Sequence, residues 1–183
     1  MFSRSQRLFG PTGTGGIYVA ENIDISPVFQ GGTGSLSESK QQPGDMPDLL
    51  ESGTQNVLGI SALFEGVKFA SRHKGEILFH EQELAKKLCD NFRNIKNIEV
   101  LGRTKDNNTG VVCVKTYGKP PAEVAYLLDK NFGIATRAGF HCSPLAAETL
   151  GVKKEGTLRF SPGFFNTIDD IEKASYAMKK IMS

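Results

Sequence analysis

The stretch VVCVKTYGKPPAEVAYLLDKNFG, residues 111–133, changes from a strand pattern to a helix pattern and thereby decides the fold class. Val111–Thr116 is rich in β-branched residues, which is typical of a strand. Pro120 and Pro121 suit the first turn of a helix, and Gly133 suits the position just past its end. The apolar positions of this helix are Val124, Leu127 and Leu128. A strand followed at once by a capped helix predicts a mixed α and β unit.

The rest of the C-terminal half continues this alternation. Ile134–Arg137 and Thr157–Ser161 are predicted strands, and Ser143-Pro144 begins a brief helix that Gly151 ends. The last helix is predicted from a capping box and an apolar stripe: Thr167 and Asp170, then Ile168, Ile171, Ala174, Met178 and Ile181. Residues 98–183 therefore predict a compact α+β small domain within an α/β fold.

The first half of the chain is organised differently. Residues 1–53 hold glycine-rich loops and one predicted strand, Ile17–Ala20, which we expect to lack a partner. They contain too few large apolar residues to close a core, so we interpret them as the remnant of a larger domain. Residues 54–97 predict long connecting helices, with Thr54 as the N-cap and Gly75 as a kink or a separation. Two helical stripes support this prediction: Ile60, Leu63, Phe64 and Val67, then Leu84, Leu88, Phe92 and Ile95.

Composition excludes several classes of function. The 22 basic and 20 acidic residues leave a net charge of +2, too small and too scattered for a nucleic-acid surface. No stretch approaches the roughly 20 apolar residues that span a bilayer, and the N-terminus has no apolar core of a secretory signal. Three widely spaced cysteines and three distant histidines indicate neither a disulfide framework nor a metal site. We expect a cytoplasmic protein.

Three features remain as candidates for chemistry. GGTGS at 31–35 offers consecutive backbone N–H groups and two hydroxyls, a nest that suits a phosphate, although a plain flexible loop is the commoner explanation of such a pattern. Cys142 follows a predicted strand and precedes a helix, in a loop with Arg137, where a thiol can become nucleophilic. The alternative is a small buried thiol. Arg159, inside an otherwise apolar strand, requires a carboxylate partner, which is either a substrate or a structural ion pair.

Five motifs occur together in an order that resembles cysteine desulfurases. They are LFGPTGTGGIYV (8–19), GGTGS (31–35), LESGTQN (50–56), RAGFHCSP (137–144) and RFSPGFFNT (159–167). On these motifs the chain is identified as a member of the class V aminotransferase group, which are fold type I enzymes that use pyridoxal 5′-phosphate (PLP). The resemblance covers nearly the whole chain from Leu8 onward, and it implies the C-terminal domain of that fold.

The resemblance also implies roles for individual residues. Cys142 matches the cysteine that takes sulfur from the substrate and becomes a persulfide, and Arg159 matches the arginine that pairs with the substrate carboxylate. Arg137 and His141 flank the nucleophile, and Asn166 lies in an aromatic-Asn-Thr turn with a positional role. The loop of Gly32, Thr33, Gly34 and Ser35 matches the one that reaches the PLP phosphate of a neighbouring subunit. The implied substrate is cysteine or selenocysteine, and a sulfur-acceptor protein is a further implied partner.

The departures from the family pattern predict a partial enzyme. The family holds a large sheet domain and a PLP-binding lysine ahead of the LFGP motif, where this chain has Gln6 or Arg7. Lys40 is the sole lysine in the first 67 residues, and it lies in a Pro/Gly loop. We therefore expect a C-terminal fragment that is inactive alone and does not retain PLP by itself. It would form a homodimer or associate with the missing N-terminal half.

Two alternatives remain at this point. Other class V members include aminotransferases and epimerases, in which the cysteine has no catalytic part. The chain could also be a non-catalytic module that carries a persulfide or binds a partner.

Overall fold

The computed structural model describes residues 2–4, 8–32, 34–102, 110–152 and 155–183, with only the backbone described for 2–4 and for Ser35. The chain forms two compact units, Met1–His73 and Lys74–Ser183. The boundaries predicted from sequence lie instead after residue 53 and after residue 97. The helix from Lys74 to Arg93, predicted as part of a connection, is grouped with the C-terminal sheet in the second unit.

The N-terminal unit begins with a two-stranded antiparallel ribbon, and this corrects the predicted strand. Strand β1 (Phe2–Arg4) pairs with β2 (Gly15–Ile17), with Ser3 opposite Gly16. The predicted strand Ile17–Ala20 is therefore wrong in position, and it is not without a partner. Its apolar run suggested a strand, but among the described residues the pairing with β1 ends at Ile17, opposite Phe2.

Helix α1 (Val57–Arg72) closes this unit, and its start also corrects a prediction. The N-cap is Asn56 and not Thr54, because the Asn56 side chain lies close enough to accept a hydrogen bond from the Gly59 N–H at 3.0 Å. Helix α2 (Lys74–Arg93) starts the second unit. The helices separate at His73, so Gly75, predicted to cause the separation, lies inside the first turn of α2.

The C-terminal unit is built on a four-stranded sheet. Its strands lie in the order β3-β4-β6-β5, and every neighbouring pair is antiparallel. The bounds are Ile98–Leu101 for β3, Val112–Thr116 for β4, Arg137–Gly139 for β5 and Thr157–Phe160 for β6. Three further helices are α3 (Pro121–Phe132), α4 (Pro144–Thr149) and α5 (Ile168–Met182).

The strand predicted at Ile134–Arg137 begins only at Arg137, because the preceding residues still complete the end of α3. Gly133 is left-handed at φ +64° and donates to the Asp129 carbonyl at 2.9 Å. Ile134 donates to the Leu128 carbonyl at 3.1 Å, a pairing that closes a helix C-terminus. The capping box predicted at Thr167 and Asp170 is confirmed at the start of α5.

The two faces of this sheet have different environments, and this difference positions the site. Val112, Val114 and Leu158 are fully buried and point into the core with side chains of α2, α3 and α5. Cys113 lies opposite Arg159, and Arg159 lies opposite Arg137. Because side chains alternate along a strand, these three residues share the face away from the core.

One close backbone approach joins β5 to β6. A Cβ on Gly156 would lie 2.6 Å from the carbonyl carbon of Gly139, so only glycine fits at residue 156. This approach brings the loop after β5 beside the start of β6. Among the described helices, none is both long and apolar enough to cross a membrane.

Candidate active site

The loop after β5 presents Cys142 to solvent in an unusual backbone conformation. His141 and Cys142 have φ values of +54° and +60°, and the Ser143 N–H donates to the Phe140 carbonyl at 2.9 Å. Two consecutive non-glycine residues in the left-handed region cost free energy that packing must offset. Such strain is typical of functional loops, and here it leaves the Cys142 thiol exposed.

Arg137 supplies the charged partner of this thiol. Its Nη2 donates to Cys142 Sγ across 3.1 Å. Arg137 begins β5 and Cys142 follows the end of the same strand, so the contact joins two residues that are five positions apart. A guanidinium donor stabilises a thiolate more than a neutral thiol, because the hydrogen bond is then charge-assisted. The contact therefore places a charged donor on an exposed thiol.

His141 is held by a strand that sequence analysis did not connect with the site. Its Nε2 and Thr157 Oγ1 share a hydrogen bond of 2.7 Å. Its Nδ1 is buried and has no hydrogen-bond partner in the described structure. Burial, followed by the charges of Arg159 and Arg137, lowers the pKa of His141 below its ordinary 6.5. The imidazole is therefore neutral at physiological pH.

Arg159 brings a second cation to the same face of the sheet. It is half-buried, and its Nε is buried without a hydrogen-bond partner in the described structure. An arginine in this state binds a carboxylate in preference to water, because its planar donors match two oxygens. Arg137 and Arg159, opposite each other on neighbouring strands, make this face suited to an anion.

The other two cysteines differ from Cys142. Cys89 is buried in the core, as expected for a structural thiol. Cys113 is half-buried, and burial raises its pKa above 9.0 despite a hydrogen bond with Thr157 and the charge of Arg159. Both thiols are poorer nucleophiles than a thiol exposed beside a guanidinium.

Asn166 holds a turn rather than contacting these residues directly. Its Oδ1 accepts from the Gly163 N–H at 2.9 Å, and its Nδ2 donates to the Asp170 carboxylate at 3.3 Å. His80 bonds to the Asn166 carbonyl at 2.8 Å. The turn borders an open cleft of about 350 Å³ that Phe160 and Lys173 also line. The positional role of Asn166 stays a prediction.

The glycine loop belongs to the N-terminal unit and is described here by itself. Thr33 lies outside the described residues, as does the side chain of Ser35. The Gly32 carbonyl accepts from the Gly53 N–H at 3.1 Å, and a Cβ on Gly32 would lie 2.8 Å from the Gly53 Cα. Beside them an open cavity of about 650 Å³ is lined by Gly31, Gly32, Gly34, Ser37, Ser39, Lys40, Gly53, Thr54 and Gln55. Backbone amides, hydroxyls and one ammonium group are a donor set that fits a phosphate.

Sequence analysis did not single out Thr157, which lies beside the candidate site and bonds to His141. It is a polar residue at 4% exposure in the strand TLRF, which also contains the half-buried Arg159. Sequence alone could not show which loop it meets. Among the described residues, no group of three or more His, Cys, Asp and Glu side chains could hold a metal.

The sequence matches the class V aminotransferase family over residues 1–174. The chain belongs to that family. This class V chain is 32% identical to a probable cysteine desulfurase of Xylella fastidiosa over 181 residues, which are 96% of the chain and 42% of that relative. A probable cysteine desulfurase of Methanothermobacter thermautotrophicus is 29% identical over 94% of the chain and 44% of its own length.

Solved structures of similar proteins show the same fold. The cysteine desulfurase CsdA of Escherichia coli, in its S-sulfonic acid form, superposes with a TM-score of 0.82 at 25% identity, over 98% of this chain and 45% of CsdA. The apo cysteine desulfurase of Thermococcus onnurineus gives 0.82 at 24% identity, over 99% of this chain and 46% of its own. The family and the fold class predicted from sequence are confirmed, and the chain spans less than half of these relatives.

Proposed function

We propose that this chain is the sulfur-accepting part of a cysteine desulfurase, with Cys142 as the nucleophile. The observation that supports this most directly is the Arg137 Nη2 to Cys142 Sγ contact of 3.1 Å in an exposed, strained loop. A cysteine that serves only packing is usually buried, whereas the Cys142 thiol is exposed and contacts a guanidinium. The similarity to proteins described as cysteine desulfurases agrees with this role.

The atoms of the overall reaction balance when the Cys142 thiol accepts the sulfur. L-Cysteine and the Cys142 thiol give L-alanine and a Cys142 persulfide, so the sulfur atom moves and a C–H bond replaces the C–S bond. Arg159, whose buried Nε lacks a hydrogen-bond partner in the described structure, would bind the substrate carboxylate. Arg137 would hold the thiolate ready and keep it oriented.

The cofactor that the family implies is PLP. Gly32, Gly34 and their neighbours around the 650 Å³ cavity would contact its phosphate, in a homodimer or with another polypeptide. When bound, PLP supplies an electron sink for loss of a proton from the substrate. We expect this chain alone to produce no alanine, because its sequence offers no lysine at the point where the family has one. A reducing cytoplasm would keep Cys142 a free thiol.

A persulfide-transfer assay tests the nucleophile directly. The full chain is incubated with glutathione persulfide, and the masses of its tryptic peptides are measured by mass spectrometry. We expect the added mass of one sulfur atom on the Cys142 peptide and none on the Cys89 or Cys113 peptides. Arg137→Gln should slow the transfer about tenfold, because it removes a hydrogen bond to a charged group, whereas Arg137→Lys should retain most of the rate.

Equal labelling of Cys113, or an unchanged rate in Arg137→Gln, would contradict the proposal. The Cys142→Ala variant is the negative control for sulfur transfer to this position. A chain that accepts sulfur but yields no alanine even with a verified N-terminal half, PLP and cysteine is instead a persulfide carrier. The exposure of Cys142 is compatible with that second role.

A further inference from the structure

We propose that Lys40 and Gln42 make the glycine loop of the N-terminal unit a binding site for a phosphate monoester. Lys40 supplies the positive charge of this site, and Gln42 is the positioning residue that holds Gly31 and the residues before Gly53 together. The resemblance implies phosphate contacts for residues 32–35 and gives neither Lys40 nor Gln42 a role. The inference deepens the proposed function and rests on it for the identity of the ligand, whereas the two residue roles rest on contacts within the N-terminal unit.

Lys40 gives the cavity beside the glycine loop its charge. It lines this open cavity of about 650 Å³, and the other lining residues are uncharged glycine, serine, threonine and glutamine residues. Among the described residues, no carboxylate lines the cavity and none forms an ion pair with Lys40. A phosphate monoester carries a charge of about −1.5 to −2 at pH 7. The ammonium group of Lys40 therefore attracts this anion with no carboxylate of the cavity wall opposing it.

Gln42 joins the glycine loop to the segment that leads to Gly53. Its side chain is half-buried and has three backbone partners. The Gly31 N–H donates to Oε1 at 3.4 Å, and Nε2 donates to the Asp48 carbonyl at 2.6 Å and to the Glu51 carbonyl at 3.1 Å. Gly31 and Gly53 both line the cavity, so one side chain connects the two segments of its wall.

A direct backbone contact between these segments works with Gln42. The Gly32 carbonyl accepts from the Gly53 N–H at 3.1 Å, and a Cβ on Gly32 would lie 2.8 Å from the Gly53 Cα. Gly31 and Gly32 have φ values of +131° and +60°, which glycine adopts readily. Glycine also loses the most conformational freedom on ordering, so a glycine loop binds an anion better when it is ordered beforehand. Gln42 provides that order.

The other donors around the cavity suit phosphate oxygens. Ser37 and Thr54 bring hydroxyl groups to its wall, and Gln55 brings an amide. An ammonium group is a point charge with three donors, and it binds phosphate without the planar match that a guanidinium offers to a carboxylate. Pockets for small molecules measure roughly 300–1,000 Å³, so this cavity also has room for the organic group of a monoester.

Nuclear magnetic resonance of the full chain tests this site without turnover. The probe is pyridoxine 5′-phosphate, which has an alcohol in place of the aldehyde of PLP and therefore forms no covalent bond with lysine. In ¹H–¹⁵N spectra we expect it to shift the amide signals of Gly31, Gly32 and Gly34. Inorganic phosphate should shift the same signals, because the shared chemistry is the phosphate group. Pyridoxine, or sodium chloride at equal ionic strength, should leave them unchanged.

Variants separate the role of Lys40 from that of Gln42. Lys40→Gln should raise the Kd for pyridoxine 5′-phosphate about fivefold, as expected for one exposed charged contact, and Lys40→Arg should retain most of the affinity. Lys68→Gln removes the same charge from α1 in the same unit, and it should leave the Kd unchanged. Gln42→Met should raise the Kd and speed hydrogen exchange of the Gly53 N–H, with exchange in α1 unchanged. In the native chain, pyridoxine 5′-phosphate should slow exchange at Gly53, which tests the role of Gln42 even if Gln42→Met does not fold.

Three sets of results would overturn the proposal. An unchanged Kd in Lys40→Gln, or an equal rise in Lys68→Gln, would remove the role of Lys40. An unchanged Kd in a folded Gln42→Met, or no slowing of exchange at Gly53 in the native chain, would remove the role of Gln42. Equal shifts with sodium chloride, or none with either phosphate, would remove the site itself. Persulfide transfer to Cys142 is measured separately and should be unchanged in Lys40→Gln, so the nucleophile and the phosphate site can fail independently.

Discussion

The two compact units of this chain differ in how much apolar surface they hide. In the N-terminal unit, Val28, Phe29 and Leu58 are 88%, 81% and 86% exposed. The buried residues described there are Pro43, Gly59 and Gly66, none with a large side chain. In the C-terminal unit, by contrast, Phe92 and Leu158 belong to one continuous core and are fully buried.

This contrast shows that apolar content does not by itself make a core. Helix α1 has an apolar stripe like that of α2, but Val57, Leu58 and Phe64 remain mostly exposed. Burial contributes roughly 25 cal/mol per Å² only where another layer covers the surface. The C-terminal unit has that layer in its sheet, whereas the similar proteins have more than half of their length outside the matched span.

The largest expected effect tests whether stability resides in the C-terminal core. Phe92 is fully buried and its ring meets that of Phe160 edge-on at 4.9 Å. Phe92→Ala should lower the free energy of unfolding by about 3–5 kcal/mol, because it leaves a cavity. The matched change Phe29→Ala should alter it by less than about 0.5 kcal/mol. Urea titration followed by circular dichroism measures both, and similar losses in the two variants would remove the contrast.

A smaller loss of stability is expected when one helix cap is removed from each unit. Thr167 accepts from the Asp170 N–H at 3.3 Å, and Asn56 accepts from the Gly59 N–H at 3.0 Å. Each change to alanine should weaken its own helix by about 1 kcal/mol. We expect Thr167→Ala to lower global stability, since α5 packs in the core, and Asn56→Ala to raise hydrogen exchange within α1 alone. A loss of protection in α5 caused by Asn56→Ala would contradict this separation.

The smallest effect is the response of the C-terminal unit to pH. The pKa of His141 is lowered in the folded chain, so the unfolded chain takes up the proton first as the pH falls below 6.5. Stability should therefore decrease between pH 6.5 and the lower folded value, and His141→Gln should remove that step. Calorimetric scans across this range measure it.

A second step at lower pH has a separate cause. The Thr167 N–H, followed by the Asn166 side chain, lowers the pKa of Asp170 below its ordinary 3.8. Its contribution is complete above pH 3.8 and is lost as the pH falls through the folded value. Asp170→Asn should remove this lower step and leave the His141 step in place. If it removed both steps, the two groups would not titrate independently.

Local chemistry made much of the C-terminal fold predictable. Proline at the start and glycine past the end located α3, and the Thr167 and Asp170 pair located the start of α5, because caps act within a single turn. The limits of β2 and β5 could not be predicted in the same way. Each depends on where a partner strand ends or where a helix cap is completed, so the apolar runs at Ile17 and Ile134 were misleading.

Sequence by itself determined the family, the exposed thiol loop and the residues around it, because those motifs are contiguous. Only the tertiary structure decided that Arg137 donates to Cys142, that Cys113, Arg159 and Arg137 share a sheet face, and that Thr157 bonds to His141. These contacts follow from the register of antiparallel strands and from the close approach of Gly156 to Gly139. Register depends on how two segments that are distant in sequence pair, so the pattern of one segment alone does not identify the partner residues.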